Sequence, residues 1–227
     1  MTPIPLIEYG LLAQWALLAG LWRGLLGSLS TPSLLKKLEA QQKVIAYWLS
    51  LAALLVLASG IPLGSHGTLV MLMRGVLGDP SSALCALALS YALGYSLPFR
   101  EKKVLYPVLA IWGLLFYPLA LGVASGSAID ALARFDPYAW GFQPREMLAC
   151  LAVLALLLWR WRFQALLWLL ALALFAYAGG WLESDNLWDY LFDPLLWFIA
   201  LGWSLYNSVA PKLKTLCLRA RSVKSIP

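Results

Sequence analysis

Charge is scarce in this chain. Asp, Glu, Lys and Arg make up 12% of its 227 residues, about half the share usual in soluble domains. Hydrophobic residues reach 62%, and the mean hydropathy is +0.76. A soluble chain of this length has too little interior to hide so much apolar surface, so lipid is the expected solvent. Histidine occurs once, as His66 in Gly64-Ser65-His66-Gly67, which excludes a multi-histidine zinc or haem site. The three cysteines, Cys85, Cys150 and Cys217, have neither metal-ligand spacing nor a readable disulfide framework. No Gly-x-Ser-x-Gly elbow and no Gly-x-Ser-Gly rhomboid-protease motif occurs. No lysine lies between Pro194 and Ala210, which excludes a retinal Schiff base in the last apolar stretch. Deep intramembrane charge is missing too. Glu8 and Gln14 come closest, which argues against a proton-coupled pump. The N-terminal stretch lacks a basic flank and a small-residue cleavage site, and is expected to be a membrane helix rather than a signal peptide.

What is present is a regular alternation of charge between seven apolar stretches, at about 5–22, 44–61, 81–98, 104–123, 145–160, 163–182 and 194–210. Lys36, Lys37 and Lys43 follow the first and Asp79 the second. Arg100, Lys102 and Lys103 follow the third; Asp130, Asp136 and Glu146 follow the fourth. Arg160 and Arg162 follow the fifth, and Glu183, Asp185, Asp189 and Asp193 the sixth. Sorted by side, all but three of the 17 basic residues fall on one face (the exceptions are Arg74, Arg134 and Arg145), and all but two of the 11 acids fall on the other. Cytoplasmic loops carry such a Lys/Arg excess.

The expected architecture is therefore all-α: a polytopic membrane bundle forming one transmembrane domain over 1–227. It has an outer N-terminus, a basic cytoplasmic tail at 211–227, and a place in a bacterial inner (cytoplasmic) membrane. The net charge of +6 serves orientation and lipid headgroups rather than nucleic acid. The tight turns at 100–103 and 159–162 predict antiparallel hairpins. The stretch 63–78 is too short and too interrupted to cross, so it is expected to be re-entrant or interfacial. Within it, Arg74 needs a carboxylate partner, with Asp79 or an acid of the third outer loop the natural choice.

Asp-Pro recurs at Asp79-Pro80, Asp136-Pro137 and Asp193-Pro194, the last two within Phe-Asp-Pro-x-x-Trp. Asp suits an N-cap and Pro the first helical position, so each pair is expected to start a helix. If 185–193 is helical, Asp185, Asp189 and Asp193 share one face at spacings of four, with Trp188 and Tyr190 among them. Asp189 is expected to point toward Arg74, Arg134 or Arg145, and Asp185 to be the most solvated.

Two functional classes compete with a third. In the first, a non-catalytic subunit or scaffold presents this acidic, aromatic outer surface, with Arg74, Arg134, Arg145, Asp189, Trp140 and Trp188, to a membrane or periplasmic partner. In the second, an enzyme works on a lipid or lipid-linked substrate at the outer interface, with Asp136, Asp185, Asp189 or His66 as candidate bases. The third is a small transporter using the prolines Pro107 and Pro118. No metal and no cofactor is expected.

Overall fold

The structure is a computed structural model that describes residues 6–28, 40–62, 67–121 and 136–223. Among them are nine α-helices: α1 Leu6–Ser28, α2 Ala40–Gly60, α3 Leu69–Leu77, α4 Ser82–Ala92, α5 Phe99–Ala120, α6 Pro144–Arg160, α7 Gln164–Ala178, α8 Leu187–Leu191 and α9 Pro194–Val223. A 3-10 turn, Ala139–Phe142, precedes α6. No strand is present among these residues; one isolated antiparallel bridge joins Pro62 and Thr68. The fold is all-α.

Length and composition separate the helices. Gln41–Gly60 and Phe99–Ala120 are long and apolar enough to cross a membrane; at 1.5 Å per residue they extend about 30 Å. The expected span at 81–98 contains a helix of only 11 residues, about 16 Å long. It stops at Ala92 because Gly94 turns the chain with φ of 95°. The stretch 163–182 holds a 15-residue helix that ends at Gly179. The helix expected at 194–210 instead continues through Pro211 to Val223. The nine-residue α3 is far shorter than a crossing helix.

Many large apolar side chains point outward. Val56 and Trp168 are each 69% exposed, and the two crossing-length helices bury little of themselves inside the protein. The interior is mostly apolar but also holds Gln14, Ser81, Ser82, Glu101, Asn186 and Asp193.

The short α4 lies at the centre. It packs chiefly on α1 and then on α7, whereas α5 packs chiefly on α9. This corrects the expected α4–α5 hairpin. The chain from Gly94 to Pro98 is not helical, which carries α5 away from α4. The α6–α7 pair does pack together. Gly113 lets α9 approach α5: a Cβ there would meet the Trp197 indole, whose Nε1 donates to Ala110 O at 3.1 Å. In α1, Gln14 is fully buried, and its Nε2 donates to Gly78 O at 2.9 Å.

One buried carboxylate ties two helices at the end opposite Asp193. Glu101 of α5 accepts from Leu166 N at 2.8 Å and Ala165 N at 3.4 Å, so it caps the start of α7 from a neighbouring helix. Glu101→Ala leaves those amides without an acceptor. It is expected to cost about 2 kcal/mol, read as a lowered unfolding midpoint in detergent, whereas Lys103→Ala on the exposed side of the same turn should change little.

Candidate functional site

At the end of the bundle where α4, α8 and α9 begin, a cleft of about 840 Å³ opens between α3, α5, α8 and α9. Its floor is aromatic. Phe116 is the hub, with its ring centroid 5.2 Å from Trp188, 5.9 Å from Phe192 and 5.4 Å from Tyr117. Tyr117 stacks on Phe192 at 5.6 Å. Such tilted and stacked pairs rigidify a surface without using its polar edges.

The rim is acidic: Asp79, Glu183, Asp189 and Asp193 all line the cleft. Asp193 is buried; its Oδ1 accepts from Leu196 N at 2.8 Å and its Oδ2 from Ser81 N at 2.8 Å. It therefore caps α9, as Asp-Pro predicts, and also binds the residue that caps α4. Asp79 does not cap α4, contrary to expectation. Ser81 takes that place, its hydroxyl accepting from Leu84 N at 3.1 Å. Asp79 instead grips Arg74, with Arg74 Nε and Nη2 donating to its two oxygens at 2.7 and 2.9 Å. Glu183 Oε1 lies 3.5 Å from the same guanidinium. The hydrogen bond that Arg74 donates to Asp79, first, raises the Arg74 pKa above its ordinary value. Gly10 makes this pair possible, because a Cβ there would strike Arg74 and Asp79.

Asp189 is half-buried and faces Tyr138, whose hydroxyl donates to its Oδ2 at 3.0 Å. Among the described residues neither Arg74 nor Arg145 pairs with it, and Arg134, the third expected partner, lies outside them. Burial, and then the Asp189 carboxylate, push the Tyr138 phenol above its ordinary pKa, which keeps it a proton donor to Asp189. Asp185 is exposed and outside the cleft lining. The three-acid helical face does not form, since α8 spans only Leu187–Leu191 and Phe192 and Asp193 are not helical. Asp136 accepts from Tyr138 N at 2.9 Å, and its 3-10 turn is short, as Gly141 and Pro144 imply. Asp136, Trp140 and Arg145 lie outside the cleft lining; Arg145 is exposed. His66 and Arg134 fall outside the described residues. Among the described residues no group of three or more His, Cys, Asp or Glu is placed to hold a metal ion.

Asn186 holds the site together and has no counterpart in the expected set. It is fully buried. Its Nδ2 donates to Tyr138 O at 2.9 Å, and its Oδ1 accepts from Trp188 N at 2.9 Å, capping α8. Trp188 Nε1 donates in turn to Pro137 O at 2.8 Å. Asn186 thus joins the segment 182–193 to the segment 136–143. The signal was available: an Asn immediately before an apolar run is an N-cap signature. Tyr117 lines the cleft, and its hydroxyl is buried with no hydrogen-bond partner among the described residues.

Comparisons with protein families, with curated proteins and with solved structures found no match.

Proposed function

We propose that this chain is a seven-span protein of a bacterial inner membrane, with its N-terminus outside and its C-terminus in the cytoplasm. In this reading it is a non-catalytic subunit or scaffold whose outer cleft receives a basic, partly aromatic segment of an envelope partner. The sorting of charge supports the topology. The many large apolar side chains on the outside support lipid as the surroundings. The seven spans include helices shorter than a full crossing, which a tilted or locally thinned bilayer accommodates.

The observation that carries the binding role is the state of the carboxylates. Each of Asp79, Asp189 and Asp193 is held by a fixed donor, so none stands as an unattached base. Together with Glu183 they leave the cleft net negative beside one arginine. A cation above Phe116, Tyr117 and Trp188 gains both charge and ring-face attraction. The enzyme reading is less favoured because Arg74, its natural phosphate holder, is already taken by Asp79 and Glu183.

Two measurements test this. Water-soluble maleimide applied from outside should reach cysteines placed in 126–134 and 184–188 and miss those in 36–43 and 212–224. Labelling of 100–103 from outside would reverse the topology. A photo-crosslinking residue at Leu121, on the cleft wall, should give one stoichiometric protein adduct in the native host, weakened by Glu183→Gln with Asp189→Asn. The same probe at Leu49, an outward residue of α2, should not. An adduct unaffected by neutralising the acids would refute the cleft as the recognition site.

A further inference from the structure

A second pocket lies at the other end of the bundle, below the point where α4 stops. It measures about 440 Å³ and is an open groove lined by α4, the 95–97 segment, α5 and α7. Its lining combines Lys102 and the hydroxyl-bearing Ser90, Ser96 and Tyr106 with the apolar Trp168 and Leu172.

The charges beside it are accounted for one by one. Arg100 lies over the Phe163 ring at 4.6 Å, and its Nη2 donates to Trp161 O at 3.1 Å. Glu101 is taken by the α7 amides. Lys103 sits over the Phe99 ring at 4.7 Å. Lys102 alone of these four has no ion-pair, hydrogen-bond or ring partner among the described residues, and it is half-buried against the pocket. A half-buried ammonium without a counter-charge is costly, and the neighbouring acid is already committed.

We infer that this pocket binds one anionic phospholipid of the cytoplasmic leaflet, with its phosphate on Lys102 and the surrounding hydroxyls and an acyl chain along Trp168 and Leu172. A lining that joins one cation and several hydroxyls to large apolar side chains matches an amphiphile better than a free anion, and anionic headgroups gather where basic loops meet the membrane. The site rests on the membrane placement proposed above but shares no residue with the outer cleft.

The test uses the full chain purified in a neutral detergent. Phosphatidylglycerol should raise the unfolding midpoint, and phosphatidylcholine of the same chain length should do so far less. Lys102→Ala should weaken the phosphatidylglycerol response about tenfold, the loss expected for one charge-assisted bond. Lys102→Arg should preserve most of it, and Lys103→Ala should preserve all of it. Equal responses to the two lipids, or equal losses in Lys102→Ala and Lys103→Ala, would overturn the site and leave only diffuse attraction. Glycerol phosphate matching the lipid would overturn the acyl-chain assignment. Wild-type protein photolabelled with a diazirine phosphatidylglycerol should be marked within 86–106 or 164–172; marking elsewhere overturns the site even if no Lys102 variant can be purified. Failure of the chain to fractionate with membranes would instead refute the placement.

Discussion

Asp193→Ala is expected to be the most destabilising single replacement in the described part of this chain. Its two oxygens hold amides from two different helices, Leu196 N of α9 and Ser81 N ahead of α4, each at 2.8 Å. Loss of the α9 cap costs about 1 kcal/mol. Leaving the buried Ser81 amide without an acceptor adds about 1–3 kcal/mol. A total of about 3 kcal/mol should appear as a lowered midpoint in denaturation followed by tryptophan fluorescence. Asp193→Asn keeps one acceptor oxygen and should recover about half of this. A midpoint for Asp193→Ala indistinguishable from wild type would mean that the shared carboxylate contributes nothing to joining α4 and α9.

Gly141→Ala is expected to dismantle the cleft. A Cβ at Gly141 would meet Asn186 Oδ1, and would lie 2.7 Å from both Asn186 Cγ and Trp188 Cδ1. Asn186 has nowhere to retreat, since its amide group is held on one side by Tyr138 O and on the other by Trp188 N. Overpacking of this kind costs about 1–3 kcal/mol. The larger effect is geometric, because displacing Asn186 releases the 182–193 segment from the 136–143 segment. In a variant stripped of its native cysteines, a cysteine at Ser184 should then react faster with maleimide, and the Leu121 cross-link should fall sharply. Unchanged reactivity at position 184 would show that the join survives without Asn186 in place.

Much of this architecture is legible in the residues, for identifiable reasons. Apolar runs and sided charges are averages over many positions, so helical class and an Arg74 paired with Asp79 emerge from them without knowledge of packing. The Asp193 cap is local, decided within three residues. The readings that changed depend on which of several candidate partners wins a polar group, or on where a helix stops. Asp79-Pro80 carries the same cap signature as Asp193-Pro194, yet Arg74 five residues earlier competes for the carboxylate and Ser81 takes over the cap. Asp189 has candidate arginines in several loops, and nothing local favours the Tyr138 hydroxyl 51 residues away. The helical spacing of Asp185, Asp189 and Asp193 holds only if the helix continues, and the extended Phe192 ends it. The α4–α5 hairpin assumes that a short loop brings neighbours together. Gly94 and the non-helical chain after it remove that constraint.

The central position of so short a helix has a consequence for how the chain is made. α4 has only 11 residues, too few to commit itself to a bilayer on hydropathy alone. Its cap residue is fastened by Asp193, 112 positions downstream, and the Ser82 hydroxyl by Tyr190 O, 108 positions downstream. A ribosome working from the N-terminus therefore releases α4 long before its fasteners exist. During that interval α1, already synthesised and its chief neighbour, is available to shelter it. Assembly is then expected in two steps, with α1 and the Tyr47 turn of α2 receiving α4 first and the start of α9 fastening it later. A chain truncated just before Phe192 should be cleared by quality-control proteases although every residue of α4 is present.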